Sequence, residues 1–411
     1  MLFINPNRAA GQRAPVTSWI SVASWAKAAR RLWGKAWIVT TEGVMEPEEI
    51  MRRASDPHTL KGPTGSPSLR RRVPTTVKTG LKDVRKMVEA RRFRESGRKG
   101  PWTSEDVRFV WQRHDLFHDT GLVAARELDR PLVVFTPALI VHEAAGWGVR
   151  RPGWQRLLER TAEAPLLRAA DLVACGSDEI AEQVKRLGVS HDHLLVTPNG
   201  VDPEMFSPDR SGIEVRRRLG LAEKYVIGWV GSFRRFHGLE MALEAMRQIE
   251  SHMPEATLLL VGDGLERERI EETVRTHGLR NVVMTGAVGY MDIPEYVAAM
   301  DVAIITDRGT GSFHYSPLKL REYMSAGKAV IAPRVGEMSR WLSDGEDAVL
   351  IESGDTDGLA AALTTLHDEP EMRQRLGMAA RQKILDQATW DIQLLRIDAA
   401  LQGAAQSQSS E

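Results

Sequence analysis

The sequence predicts an α/β protein made of two units, and three observations lead there. Short apolar runs that read as strands alternate with helical segments, which is the pattern of βαβ units. After a turn-rich passage, PNGVD and then PEMFSPDRSG at 198–212, that pattern starts again. At 411 residues the chain is long enough for two domains, each with its own core.

In the first half, apolar runs at 2–4 and 36–39 read as strands with a helical segment, 19–32, between them. The loop after the first run, NPNRAAGQRAP, has Gly11 alone and so carries no Gly-rich dinucleotide fingerprint. Residues 56–74, rich in Pro, Gly and Ser, read as an insertion, followed by a basic helix at 77–94. Strands follow at 108–111, 132–136, 171–174 and 194–197, with helices at 154–169 and from Ser177. In the second half strands are expected at 225–230, 257–261, 282–284, 302–305, 329–331 and 349–351, as one parallel sheet covered by helices on both faces. Helices at 371–386 and 390–401 end the fold, and the polar tail after Gly403 is expected to lack structure.

Composition narrows the function. Lys and Arg total 55, as do Asp and Glu, a balance that argues against a general nucleic-acid binder. The start MLFINPN lacks a basic leader, and no segment is long and apolar enough to span a bilayer, so a cytoplasmic protein is expected. Cys175 stands alone in the apolar run DLVAC, which rules out an intrachain disulfide and reads as core. Nothing has metal-ligand spacing, and neither metal nor cofactor is expected. Charge is uneven locally, however: between Lys61 and Lys99 many Lys and Arg face only Asp83, Glu89 and Glu95. Such a run is ordinarily a solvated face; read functionally, it is a surface for an acidic acceptor or for peripheral contact with anionic lipid.

Candidate chemistry gathers where strands end, because ligands of open α/β sheets bind beyond the carboxyl ends of the strands. In the first half RHDLFHDTG crowds Arg113, His114, Asp115, His118 and Asp119 at one such end, and His142 and Glu143 follow the next strand. In the second half GSFRRFHG pairs Gly231 and Gly238 with Arg234, Arg235 and His237, a plausible diphosphate cradle. VGDG places Gly262 after the next strand, and GAVGY at 286–290 offers backbone groups near Val288 to a base. The stretch TDRGTGSFHYSPLKLREYMSAGKAV reads as strand end, loop with Gly309 and Gly311, and helix. Ser316 is expected as its N-cap and Pro317 at its first helical position, with Leu318, Lys319 and Glu322 in the early turns. Helix N–H groups there suit a phosphate, and Glu322 suits ribose hydroxyls.

In this order, PNGVD, GSFRRFHG, VGDG and SPLKLREYMSAGKAVIA, these motifs resemble the retaining glycosyltransferases of GT-B fold, the sucrose-synthase-like and mannosyltransferase-like group 1 enzymes. The resemblance is specific in the second half and loose in the first. It implies two Rossmann-like domains facing each other across a cleft: 1–204 for the acceptor, 221–388 for the nucleoside-diphosphate sugar, and 389–411 as a helix crossing back. It implies transfer to a hydroxyl acceptor with retained configuration and no metal, with UDP the commonest donor base. The acceptor, a small molecule or a lipid-linked or phosphorylated glycan, is left open.

By position, Glu322 matches the family's ribose-binding second glutamate. His314 stands where the first glutamate is usual, Ser232 where an Arg is usual, and His237 where a Lys is usual. Arg234, Arg235 and Lys319 are candidates for the missing charge. The loop around Gly311–His314 would hold sugar hydroxyls, and a first-half histidine is implied at the reaction centre: His118 is favoured over His114 and His142, with Arg113 as a charged partner. Because a histidine titrates near neutral pH, binding through His237 is expected to weaken as pH rises. Two other readings keep the fold: a non-catalytic glycosyltransferase-like subunit, and a sugar-nucleotide epimerase.

Overall fold

The computed structural model describes residues 1–6, 16–56, 75–146, 148–309 and 317–408. The chain divides into two units, Met1–Asn199 together with the chain from Trp390 onward, and Gly200–Thr389.

The first unit is built on a seven-stranded sheet. Its strands are β1 (Leu2–Ile4), β2 (Trp37–Thr40), β3 (Gly43–Met45), β4 (Val110–Arg113), β5 (Leu132–Thr136), β6 (Leu172–Cys175) and β7 (Leu194–Val196). They lie in the order β3-β2-β1-β4-β5-β6-β7. All neighbours are parallel except β3, which turns back antiparallel on β2 through a tight turn where Thr40 Oγ1 donates to Gly43 O at 2.9 Å. The central strands are buried from end to end, so they read as continuous apolar runs without alternation. Strand β3, largely exposed, has no such run and escapes a sequence reading.

An aromatic core closes this unit. Trp25, on the helix Val16–Trp33, meets Trp111 of β4, Phe135 of β5 and Trp390 with ring centroids 6.0, 5.6 and 5.0 Å apart. Trp390 opens the final helix, Trp390–Gln408, whose Asp391 pairs with Arg31 at 3.0 Å and whose Asp398 pairs with Arg108. That helix runs to Gln408, well past the Gly403 at which structure was expected to stop.

The second unit carries β8 (Tyr225–Val230), β9 (Ala256–Val261), β10 (Val282–Met284), β11 (Val302–Ile304), β12 (Ala329–Pro333) and β13 (Val349–Ile351), all parallel, in the order β10-β9-β8-β11-β12-β13. Counted along the chain this is the Rossmann order 3-2-1-4-5-6. The winding direction reverses between β8 and β11. The first sheet reverses in the same way between β1 and β4.

The turn-rich passage at 198–212, whose composition suits an interdomain linker, is packed rather than bare. Phe206 is fully buried in the second unit, Ser325 Oγ donates to its carbonyl at 2.7 Å, and Arg381 Nη1 donates to the carbonyls of Pro203, Phe206 and Ser325 at 2.9, 2.9 and 2.6 Å. Its turn residues hide one aromatic anchor, and from Gly200 on the passage belongs to the second unit.

If Trp390 closes the first core, Trp390→Ala removes about 3–5 kcal/mol from that unit alone. Calorimetry then shows one unfolding transition moving down and the other staying in place. Equal movement of both contradicts this division of the core.

Candidate active site

At the reversal of the six-stranded sheet, glycines let loops from neighbouring strands touch. Gly231 N, just past β8, donates to Val261 O at 2.9 Å. Gly262, at φ +138°, lies so close to the Gly231 carbonyl that a Cβ there would stand 1.9 Å from its oxygen. The loop after β8 buries Phe233, makes one 3₁₀ turn, Arg235–His237, and ends on Gly238. Gly238 presses against the Asp307 carbonyl, 2.0 Å from where a Cβ would be, and Thr306 Oγ1 donates to His237 O at 2.6 Å. The loops on the two sides of the reversal are thereby stitched together.

The helix Leu318–Ser325 brings charge to this point. Pro317, with φ −74° and ψ 119°, is its N-cap, one place earlier in the helix than expected. Buried Tyr323 turns its hydroxyl to accept Val230 N–H at 2.6 Å, which ties the helix to the end of β8. Lys319 then projects over the face of Trp229, with Nζ 3.6 Å from the ring centroid. Its ammonium is buried and has no hydrogen-bond partner among the described residues. A Cβ on Gly231 would lie 2.8 Å from Nζ, so the cation rests against bare backbone. One turn on, buried Glu322 accepts from the Tyr290 hydroxyl at 3.2 Å.

The electrostatics follow from this burial. Desolvation pushes Lys319 down to about 7 against the pull of Glu322. Desolvation likewise lifts Glu322 to about 7, opposed by the Tyr290 hydroxyl and by Lys319. Burial, with Lys319 and Arg234 nearby, drives His237 down to about 2, and its ring sits edge-on to Trp229 at 5.3 Å. His237 is therefore neutral throughout the physiological range. This corrects the expectation that it titrates near neutral pH; Lys319 and Glu322 are the groups poised there.

The expected donor residues thus separate. Gly231, His237, Gly262, Pro317, Leu318, Lys319 and Glu322 gather at the reversal; Ser232, Arg234 and Arg235 are exposed on the loop beside it, and Val288 is half-buried near Tyr290. His314, Ser316 and Gly311 lie outside the described residues. Trp229, Tyr290 and Tyr323 are additions. A tryptophan ending an apolar strand and a tyrosine within a helix both read as core, and Tyr290 reads only as the end of a backbone loop.

In the first unit, Arg113 ends β4 at the other reversal, and burial pushes it to about 10 against Asp115 and Glu143. His114 is committed to the fold: its Nε2 lies 3.3 Å from Glu163 Oε1, and both side chains are sealed from solvent. That same oxygen accepts Ile140 N–H at 2.6 Å at the start of the helix Ile140–Gly146. A π-helical turn, Glu159–Glu163, carries Glu163, which the sequence reading misses. His118 follows Phe117, whose φ of +67° is strained for a non-glycine residue. It is buried against Phe93, and its Nδ1 has no partner among the described residues. Lys86 reaches Asp115 beside it. His142 is exposed.

Burial lowers His118 from 6.5 to about 4. The unfolded chain therefore takes up a proton there at higher pH than the folded one does, and folding stability falls as pH drops below 6.5 until about pH 4. Urea unfolding between pH 7 and 5 is expected to show a shallower loss in His118→Asn, the difference approaching about 1.4 kcal/mol per pH unit. An unchanged slope contradicts a buried neutral His118.

The model for group 1 glycosyl transferases matches residues 224–369, and that for glycosyltransferase family 4 matches residues 48–205. The sulfoquinovosyl transferase of Arabidopsis thaliana is 29% identical over 274 residues, 64% of this chain and 50% of that protein. Glycogen synthase of Mycobacterium tuberculosis is 26% identical over 304 residues, 73% of this chain and 69% of that protein. The chain thus spans about half the length of the plant relative. Among solved structures, Anabaena HepE in complex with UDP aligns with a TM-score of 0.62 at 18% identity, covering 100% of this chain and 99% of that one. Sucrose-phosphate synthase from Thermosynechococcus elongatus aligns at 0.66 and 19%, with the same coverage. At such identities the structures speak for the fold, which is GT-B. With both halves matched by glycosyltransferase family models, the chain belongs to the group 1 glycosyltransferases, a family of enzymes.

Proposed function

We propose that this chain moves a sugar from a nucleoside-diphosphate sugar, a UDP-sugar, to a hydroxyl acceptor, with retention of configuration and without a metal ion. The observation that carries the reading is Lys319: a buried ammonium over Trp229, without a hydrogen-bond partner among the described residues, pressed against Gly231. A cation in that setting is stabilised most by an anion brought to it. The diphosphate of the donor takes that place, with the exposed Arg234 and Arg235 at its outer side. Glu322, held by Tyr290, accepts the ribose hydroxyls. The bond from the sugar's anomeric carbon to the diphosphate then breaks, Lys319 balances the charge that develops on the leaving oxygen, and the acceptor oxygen bonds to the same face. The charge expected from the usual Lys and Arg of this family comes here from Lys319. Within the first unit, His114 acts by holding the fold around the strand end that carries Arg113 and His118. The UDP and UDP-glucose complexes of HepE support the choice of base.

Thermal shift and titration calorimetry with UDP-glucose test this. Binding needs Lys319 charged and Glu322 ionised, and the donor's own diphosphate does not titrate near neutral pH. Affinity is therefore expected to peak near pH 7, falling above it as Lys319 loses its proton and below it as Glu322 gains one. Lys319→Met is expected to weaken binding by about 100-fold, equivalent to about 2.7 kcal/mol, and to abolish the alkaline limb. Glu322→Gln is expected to abolish the acid limb. Absence of binding by any nucleoside diphosphate contradicts the reading.

A further inference from the structure

The helix Thr75–Phe93 is fastened to the first unit by one face and carries an apolar stripe on the other. Thr79, Asp83, Ala90 and Phe93 point inward and are buried. Asp83 receives two hydrogen bonds from Arg151, both 2.9 Å, and Lys86 reaches Asp115. Opposite them Val77, Leu81, Val84 and Val88 are 50, 64, 55 and 39% exposed. Their spacing of four, three and four residues aligns them in one stripe, and solvent is all that the described residues place over it. By helical geometry Lys78, Lys82, Arg85 and Arg92 run along one side of the stripe and Arg91 along the other. Arg85 pairs with Glu89 at 2.7 Å, whereas Lys78, Lys82, Arg91 and Arg92 form no ion pair among the described residues.

We propose that this helix lies on an anionic lipid surface, with Val77, Leu81, Val84 and Val88 entering the acyl boundary and the flanking Lys and Arg meeting lipid phosphates. An apolar stripe bordered by cations is the arrangement of an interfacial helix. Charge complementarity selects lipid over a second copy of the chain, because two such helices face to face would bring their basic borders together. The contact is peripheral, since no described helix is long and apolar enough to cross a membrane. The described part of the basic segment 61–99 expected from sequence is chiefly this helix; residues 57–74 lie outside the description.

The test is co-sedimentation of the full chain with phosphatidylcholine vesicles, with and without about a third phosphatidylglycerol, at low and high salt. Expected are binding to the anionic vesicles, its weakening by salt, and about tenfold weaker binding by Leu81→Gln/Val84→Gln, which leaves charge unchanged. These side chains are exposed, so the variant keeps its thermal midpoint and its UDP-glucose affinity, which separates this inference from the donor reading. Three results overturn it: no binding to anionic vesicles at low salt, binding unaltered by the apolar double variant, or a concentration-dependent dimer, without lipid binding, that the double variant dissolves.

Discussion

A lysine ammonium held out of water over the face of Trp229 is unfavourable unless the surroundings compensate it. Here they do so only in part, through the ring's quadrupole and the carboxylate of Glu322 one turn away. The rest of the second unit can be understood as what keeps that cation in place. The strand order reverses between β8 and β11, so that the end of β8 and the helix Leu318–Ser325 meet at one point. Tyr323 ties them together through Val230. Gly231 removes the side chain that would otherwise occupy the space beside Nζ, and Gly262 lets the next strand end close on the Gly231 carbonyl.

The same burial divides the titratable groups by task. Lys319 and Glu322 are each displaced towards neutrality from opposite directions, whereas His237 and His118 are driven well below it. Groups near neutrality exchange protons when a ligand arrives. The histidines, being neutral already, offer hydrogen bonds that do not change over the physiological range. His114 is different again, because Glu163 binds it while holding the start of the helix Ile140–Gly146.

Much of the fold can be read in the chain because buried parallel strands leave continuous apolar runs; β5, β8, β10 and β13 fall where those runs lie. Strand order leaves no such mark, so the reversal that locates the site comes only from the structure. Lys319 and Glu322 stand out through the Ser-Pro helix start and the motif resemblance. Trp229 and Tyr290 do not, since an aromatic at a strand end or after a turn has no pattern that separates packing from recognition. His237 misleads because its titration depends on burial, which its neighbours Arg234 and Arg235, both exposed, do not reveal. The helix Thr75–Phe93 reads from the chain as a basic, solvated face; that its buried side is Thr79, Asp83, Ala90 and Phe93 comes only from the structure.

The central claim is that the Lys319 ammonium is the diphosphate anchor, and a crystal structure of the complex with UDP tests it most directly. The account predicts a phosphate oxygen within about 3 Å of Lys319 Nζ, beside Gly231, and ribose hydroxyls on Glu322. A diphosphate held by Arg234 and Arg235 alone, with Nζ still over Trp229 and unpartnered, would contradict it.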